Sequence, residues 1–308
     1  MTRTRPALEV ELFRGSDAIT DGVLTPDVLR TPHFVRLFRD AYAVRGTPIT
    51  HELRCRAAAL VLPEAATLTG VSAATIYGVP LATGDDPVEL AAPSEARAHR
   101  RPGMRVRNLR IPDEESVPWN GIRLATPLRT AYDLLIGRRS LVERVACTDA
   151  WLRSGLVDFE ELRRIVVKRH DHGVVVGRQA VELVDPRAES FPESELRVLL
   201  NLNELYPVPQ LKVCDSNGFI ARVDLGFEEE KVAVEYDGAW HGDANQLPRD
   251  RERMNRLQAA GWHVVYVTAK WLRSSPRSVA AVVTQTLRER RQTPFRTHSG
   301  KKSAPIGR

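Results

Sequence analysis

The stretch VAVEYDGAWHG, residues 232–242, opens as an apolar strand and closes with Glu235 and Asp237 two positions apart. In an extended chain, residues i and i+2 point to the same face, so both carboxylates aim at one spot. Just upstream, LKVC, DSNG and FIARVDLGF (211–227) read as a strand, an Asn-Gly turn and a second strand. Along that second strand, Phe219, Ala221, Val223, Leu225 and Phe227 are expected on one face. Ile220, Arg222, Asp224 and Gly226 are expected on the other. A short loop, Glu228 to Lys231, leads back into VAVEYD. A simple hairpin then puts Phe227 opposite Val232 and carries the ladder on to 224–235. Asp224 would face Glu235, with Asp237 on the same side. Like charges in directly opposed positions destabilise a sheet, so three acids on one patch call for a bound cation. Oxygen-rich clusters suit Mg²⁺ or Mn²⁺, which also bridge to substrate phosphates. A solvated acidic sheet face is the competing reading.

The flanking pattern extends this hairpin into a layer. PESELRVLLNLNEL (192–205) predicts a helix whose apolar face runs through Leu196, Leu199, Leu200 and on from Leu202 to Leu205. PRDRERMNRLQAAGW (248–262) predicts a second helix, HVVYV (263–267) a short buried strand, and RSVAAVVTQTLRERR (277–291) an amphipathic closing helix. Helix, three strands, helix, strand, helix is the order of an α/β layer with a mixed sheet.

Upstream of this layer, DPRAESFPE (185–193) breaks the periodicity with two prolines and polar residues, as a linker would. Thr25 before Pro26 marks a helix start. FVRLFRDAYAV (34–44) alternates around Arg39-Asp40 like a hairpin. Helix, helix, hairpin over 14–46 is the order of a winged helix-turn-helix; a small structural cap would give the same pattern. Residues 50–82 predict alanine-rich helices, with strands at 87–93 and 104–111. A strand, a turn and a helix from Pro127 follow over 121–135, and helices continue to about Val184, clearest at 138–153 and 158–168. Arg129 and Asp133, four apart, read as a local helical ion pair.

Composition bounds the function classes. Of 308 residues, 43% are apolar and 27% charged, as in globular proteins. The longest apolar region, Ala57 to Ala82, is interrupted by Pro63, Glu64, Gly70, Gly78 and Pro80, which argues against a membrane span. MTRTRPALEVELFRG lacks an apolar signal core, and the expected location is cytoplasmic. Cys55, Cys147 and Cys214 are too scattered for a disulfide framework or a structural zinc site. The net charge of +6 resides in residues 288–308, a Pro/Ser/Gly-containing basic tail suited to phosphates or simply to solvent.

The segments VDL (223–225), VAVEYDGAWHG and RDRERMNRLQAAGWHVVYV (249–267) together resemble the very-short-patch repair (Vsr) endonucleases of the PD-(D/E)xK superfamily. They are closer still to uncharacterised Vsr-like domains. The resemblance covers about residues 190–290 and implies a metal-dependent DNA endonuclease using Mg²⁺ or Mn²⁺. Under it, Asp224 matches the metal-binding aspartate, with Val223 in place of the preceding proline. Gly238, Trp240 and His241 match a glycine and an aromatic-histidine pair, which makes His241 the candidate proton carrier. Glu193 resembles an acidic residue on the leading helix and would complete a metal set with Asp224 and Glu235. Glu235 and Asp237 fit the E-x-D-G form, but Asp237 stands where the superfamily usually has a lysine. The zinc ligands of Vsr and an aromatic wedge are absent from the pattern, so mismatch specificity does not carry over. Arg222, Arg251, Arg253, Arg290 and Arg291 are the arginines expected to meet DNA.

The first 180 residues more loosely resemble AbiEi-type antitoxins of type IV toxin–antitoxin systems, through FVRLFRDAYAV, AATLTGVSAATIYGV, PVELAAPSEARAHRRPGMRVRN and GIRLATPLRTAYDLL. That implies DNA binding by a winged helix and a toxin–antitoxin partner. Arg97, Arg100, Arg101, Arg105 and Arg107 would form a basic stretch along it. The expected organisation is a winged-helix-like module (1–48), an AbiEi-like, mostly helical α+β middle domain (49–185), an α/β PD-(D/E)xK-like domain (186–291) and a basic tail (292–308). DNA is the expected partner, with no membrane. A catalytically inactive nuclease-fold regulator, such as an antitoxin-like repressor, is the alternative to the endonuclease.

Overall fold

The computed structural model describes residues 11–96, 101–215, 218–237 and 247–292. The chain divides into two compact units, Met1–Val184 and Asp185–Arg308. It is mixed α/β, with three sheets among the described residues.

In the first unit, β1 (Leu12–Arg14) leads into α1 (Gly15–Thr20), α2 (Pro26–Leu29) and a hairpin of β2 (Phe34–Phe38) and β3 (Ala41–Val44). The sequence specifies these ends. The Thr25 hydroxyl accepts from Val28 N at the start of α2, and Asp40 takes the left-handed turn position (φ 71°). The three strands form an antiparallel sheet in the order β1-β3-β2. Phe13, Ala18 and Leu29 pack beneath it, with Phe34 edge-on to Phe13.

The same unit continues with α3 (His51–Ala59), β4 (Thr67–Leu68), α4 (Gly70–Ile76), β5 (Val88–Ala92), β6 (Met104–Asn108), β7 (Ser116–Trp119) and β8 (Ile122–Ala125). Helices α5 (Pro127–Ile136), α6 (Leu141–Arg153), α7 (Phe159–Lys168) and α8 (Val174–Val181) close it. The five strands make a mixed sheet in the order β6-β5-β4-β8-β7. Side chains cap the helix starts: Thr50 for α3, Thr126 ahead of Pro127 for α5, and Asp158 for α7. Ser140 and Glu143 form a reciprocal capping box on α6.

The second unit runs α9 (Phe191–Asn201), β9 (Val208–Asp215), β10 (Gly218–Phe227), β11 (Val232–Asp237), α10 (Leu247–Ala259), β12 (His263–Thr268), α11 (Ala269–Ser274) and α12 (Pro276–Gln292). Its sheet order is β12-β11-β10-β9, with β11 parallel to β12 and the other pairs antiparallel. One face packs Leu225, Val232, Val234 and Val267 against Leu196 and Leu200 of α9 and Val279 and Val283 of α12. Ala221, Val223 and Ala233 pack with Leu257 of α10 and with Trp262.

Three expectations need correction. Helix α9 stops at Asn201, so Leu202 lies outside it and is exposed. HVVYV forms the edge strand rather than a buried one, which leaves Tyr266 exposed. A β-bulge between Phe219 and Ala221 breaks the strict alternation, burying Ile220 and Ala221 together while Phe219 faces solvent. Asn217 of the Asn-Gly turn lies outside the described residues.

Candidate active site

The register is the predicted one for three rungs: Phe227 pairs with Val232, Gly226 with Ala233 and Leu225 with Val234. At the fourth position the backbone ladder gives way. Asp224 Oδ2 accepts the Tyr236 N–H at 2.9 Å, so a side chain stands where a main-chain carbonyl would otherwise serve. Beyond that point β11 continues paired to β12 alone, through Glu235–Tyr266 to Asp237–Thr268.

Glu235 sits on this central strand and is buried, 7% exposed. Its Oε2 forms an ion pair with Arg253 Nη2 of α10 at 3.6 Å. Its Oε1 is buried with no hydrogen-bond partner among the described residues, and so is Arg253 Nε. Burial pushes the Glu235 carboxyl up to about 7, and the charge of Asp224 adds to this while Arg253 opposes it. Asp224 is also raised, by burial first; the Tyr236 N–H works against the shift and the charge of Glu193 with it. The two acids therefore destabilise each other's ionised form in a site short of positive charge.

Glu193 is held elsewhere. It lies in the first turn of α9, buried, and its Oε2 accepts from Glu189 N at 2.9 Å and Gln210 Nε2 at 2.8 Å. Gln210 reaches it from β9 with a left-handed backbone (φ 52°). Among the described residues, no three His, Cys, Asp or Glu side chains come together as a metal-ion set. Asp237 ends β11 exposed to solvent. His241, with Gly238 and Trp240, lies outside the described residues.

The candidate DNA-contacting arginines divide. Arg251 is exposed on α10. Arg222 pairs with Glu189 at 2.7 Å while staying 46% exposed. Arg290 has structural work instead: its guanidinium donates to the carbonyls of Glu230 and Gly261. Arg291 pairs with Glu230 at 2.7 Å. Sequence reasoning missed Gln210, which no local pattern marks, and the Arg253–Glu235 pair, which joins residues 18 positions apart in the chain.

No family model matches the chain. It is similar to the uncharacterized protein Rv2248 of Mycobacterium tuberculosis strain H37Rv and to the uncharacterized protein MT2308 of strain CDC 1551. Each is 28% identical over 193 residues, covering 61% of this chain and 67% of the relative. No solved structure matches it.

In the first unit, the described arginines of the basic stretch are partly engaged by acids. Arg97 and Arg100 lie outside the described residues, and Arg101 is half-buried. Arg105 pairs with Glu89 at 2.6 Å and Arg107 with Asp133 at 2.6 Å. The Arg129–Asp133 pair is present at 2.9 Å, but both side chains are almost fully buried and belong to a wider network. No helix of the described chain is long and apolar enough to cross a membrane.

Proposed function

We propose that the second unit is a metal-dependent DNA endonuclease of the Vsr-like, PD-(D/E)xK type. The observation that carries the reading is Glu235 Oε1, a buried and unpartnered carboxylate oxygen beside a second raised acid, Asp224. A buried acceptor without a partner costs about 1–3 kcal/mol, more when charged, and a cation would relieve it. Asp224 and Glu235 would hold the ion, with Glu193 close enough to act on both through its charge. A bound Mg²⁺ or Mn²⁺ would supply Lewis-acid polarisation of the phosphate and a more acidic water. The chain's own residues do the rest. Tyr236 N–H orients the Asp224 carboxylate, Gln210 and the Glu189 amide fix Glu193, and the Arg253 guanidinium with its unspent Nε–H faces the same site. His241, outside the described residues, remains the candidate proton carrier. Arg251, Arg222 and Arg291 are the candidate arginines left with exposure to meet the DNA backbone.

A second reading, a DNA-binding regulator with an inactive nuclease fold, draws on two observations. Asp237 occupies the usual lysine position, and the Arg253 ion pair already closes on Glu235. In this reading the winged-helix-like residues 14–46 carry the DNA contact, with a toxin–antitoxin role. Incubating the full chain with supercoiled plasmid and Mg²⁺ or Mn²⁺ separates the two. The endonuclease nicks or linearises it, and Asp224→Asn, which keeps an acceptor for Tyr236, lowers the rate by about 10²-fold or more. Metal-independent DNA binding without cleavage, unchanged in that variant and lost on deleting residues 1–46, decides for the regulator.

A further inference from the structure

The first unit contains a cavity of about 440 Å³ between the edge strand β6 and the end of α5. That volume lies in the range of small-molecule sites, roughly 300–1,000 Å³. Arg105 and Arg107, two apart on β6, line it, and Arg138 lines it from just past the end of α5. Ile136 of α5 and Leu109, just past β6, supply apolar lining on that side, whereas Leu90 and Val106, paired across β5 and β6, turn their side chains to the other face of the sheet.

The arginines are held from behind. Asp133 accepts from Arg107 Nη1 at 2.6 Å, from Arg129 at 2.9 and 3.1 Å, and from the Thr69 hydroxyl. Glu89 accepts from Arg105 Nη1 at 2.6 Å, from Arg139 at 2.8 Å and from Val71 N at 3.3 Å. Each buried carboxylate thus faces two guanidinium groups, of which Arg129 is shared with Glu115 at 2.7 Å. Burial works against the charge on Asp133, yet Arg107 and Arg129 outweigh it and hold the carboxyl below the usual range. Asp171, a third acid on the lining, is spent on the Tyr132 hydroxyl and Arg169.

Arg105 and Arg107 each use a single Nη in these bonds, and their side chains stay 44% and 30% exposed. Arg138 is exposed and has no ion-pair partner among the described residues. Three guanidinium groups with unspent N–H donors therefore converge on one cavity, two of them fixed in place. Guanidinium forks match the oxygens of a phosphate, and donors fixed in advance lose little freedom on binding.

We infer that this cavity binds a small phosphate monoester of nucleoside-monophosphate size, its phosphate on Arg105, Arg107 and Arg138 and its organic part against Ile136 and Leu109. The test is calorimetry on the full chain with adenosine, guanosine, cytidine and uridine 5′-monophosphates, and with adenosine and inorganic phosphate as controls. At least one nucleotide is expected to bind below about 1 mM, more tightly than inorganic phosphate, with adenosine undetected. Arg138→Ala, at an exposed position, should weaken it roughly tenfold without moving Tm. Arg105→Gln should weaken it as well. The inference is overturned if no nucleotide binds at about 10 mM, or if adenosine or inorganic phosphate binds as tightly. Affinity indifferent to Arg138→Ala overturns it too. So does binding seen only with duplex DNA and lost in that variant, which would make the arginines a nucleic-acid contact.

Discussion

Glu235 connects ionisation to stability at a single atom. Its carboxyl titrates near 7 in the folded chain against an ordinary 4.5. Between those values the folded state keeps a proton that the unfolded chain has released. Stability is therefore undiminished below about pH 4.5 and falls as pH rises through 7, by roughly 3 kcal/mol if the whole shift is realised. Chemical denaturation of the metal-free protein should show this loss between about pH 5 and 8. Glu235→Gln should flatten the profile and be the more stable protein above pH 7. Added Mg²⁺ should restore stability to the native chain alone. A variant less stable than the native chain at pH 8 without metal would contradict this account of the site.

At the level of elements, the helix starts were readable because a Thr, Ser or Asp cap acts on a backbone N–H three residues on, and that signal is local. The β10–β11 register was readable for the same reason, since a short loop and alternating apolar residues fix it. The fork at Asp224 was not, because it depends on β11 having β12 on its other side. Strand order also decided that HVVYV lies at an edge, and one sequence carries no direct statement of strand order. Arg129 and Asp133 read as a local ion pair because helical spacing accounts for them. Their partners Thr69 and Arg107 lie 64 and 26 residues from Asp133 and carry no local signature. Gly70 at the start of α4 belongs to that network: its φ is +55°, and a Cβ there would collide with Glu89 Oε2. Gly70→Ala should cost about 1–3 kcal/mol in urea unfolding and weaken nucleotide binding in the adjoining cavity. Unchanged stability would mean that Glu89 moves freely, against the four hydrogen bonds its carboxylate accepts.

Across the molecule, Met1–Val184 and Asp185–Arg308 each contain apolar clusters of their own among the described residues. Each unit thus has its own core, the condition for independent folding. Residues 185–308 expressed alone should unfold cooperatively and keep the Glu235-dependent pH profile, as read by circular dichroism; a fragment without a transition would show that its core is incomplete. The sequence-level basic balance has a different meaning at this scale. Arg105, Arg107, Arg290 and Arg291 look like free positive charge along the chain, and the fold commits each to an acidic or carbonyl partner. The bond from Tyr236 N–H to Asp224 has a consequence of the same kind. Every backbone rung of this sheet ends on a carbonyl that pH cannot alter, whereas this one ends on a group that can gain a proton. The sheet thus contains one titratable rung, and protonating it weakens a charge-assisted bond at the point where β10 and β11 part.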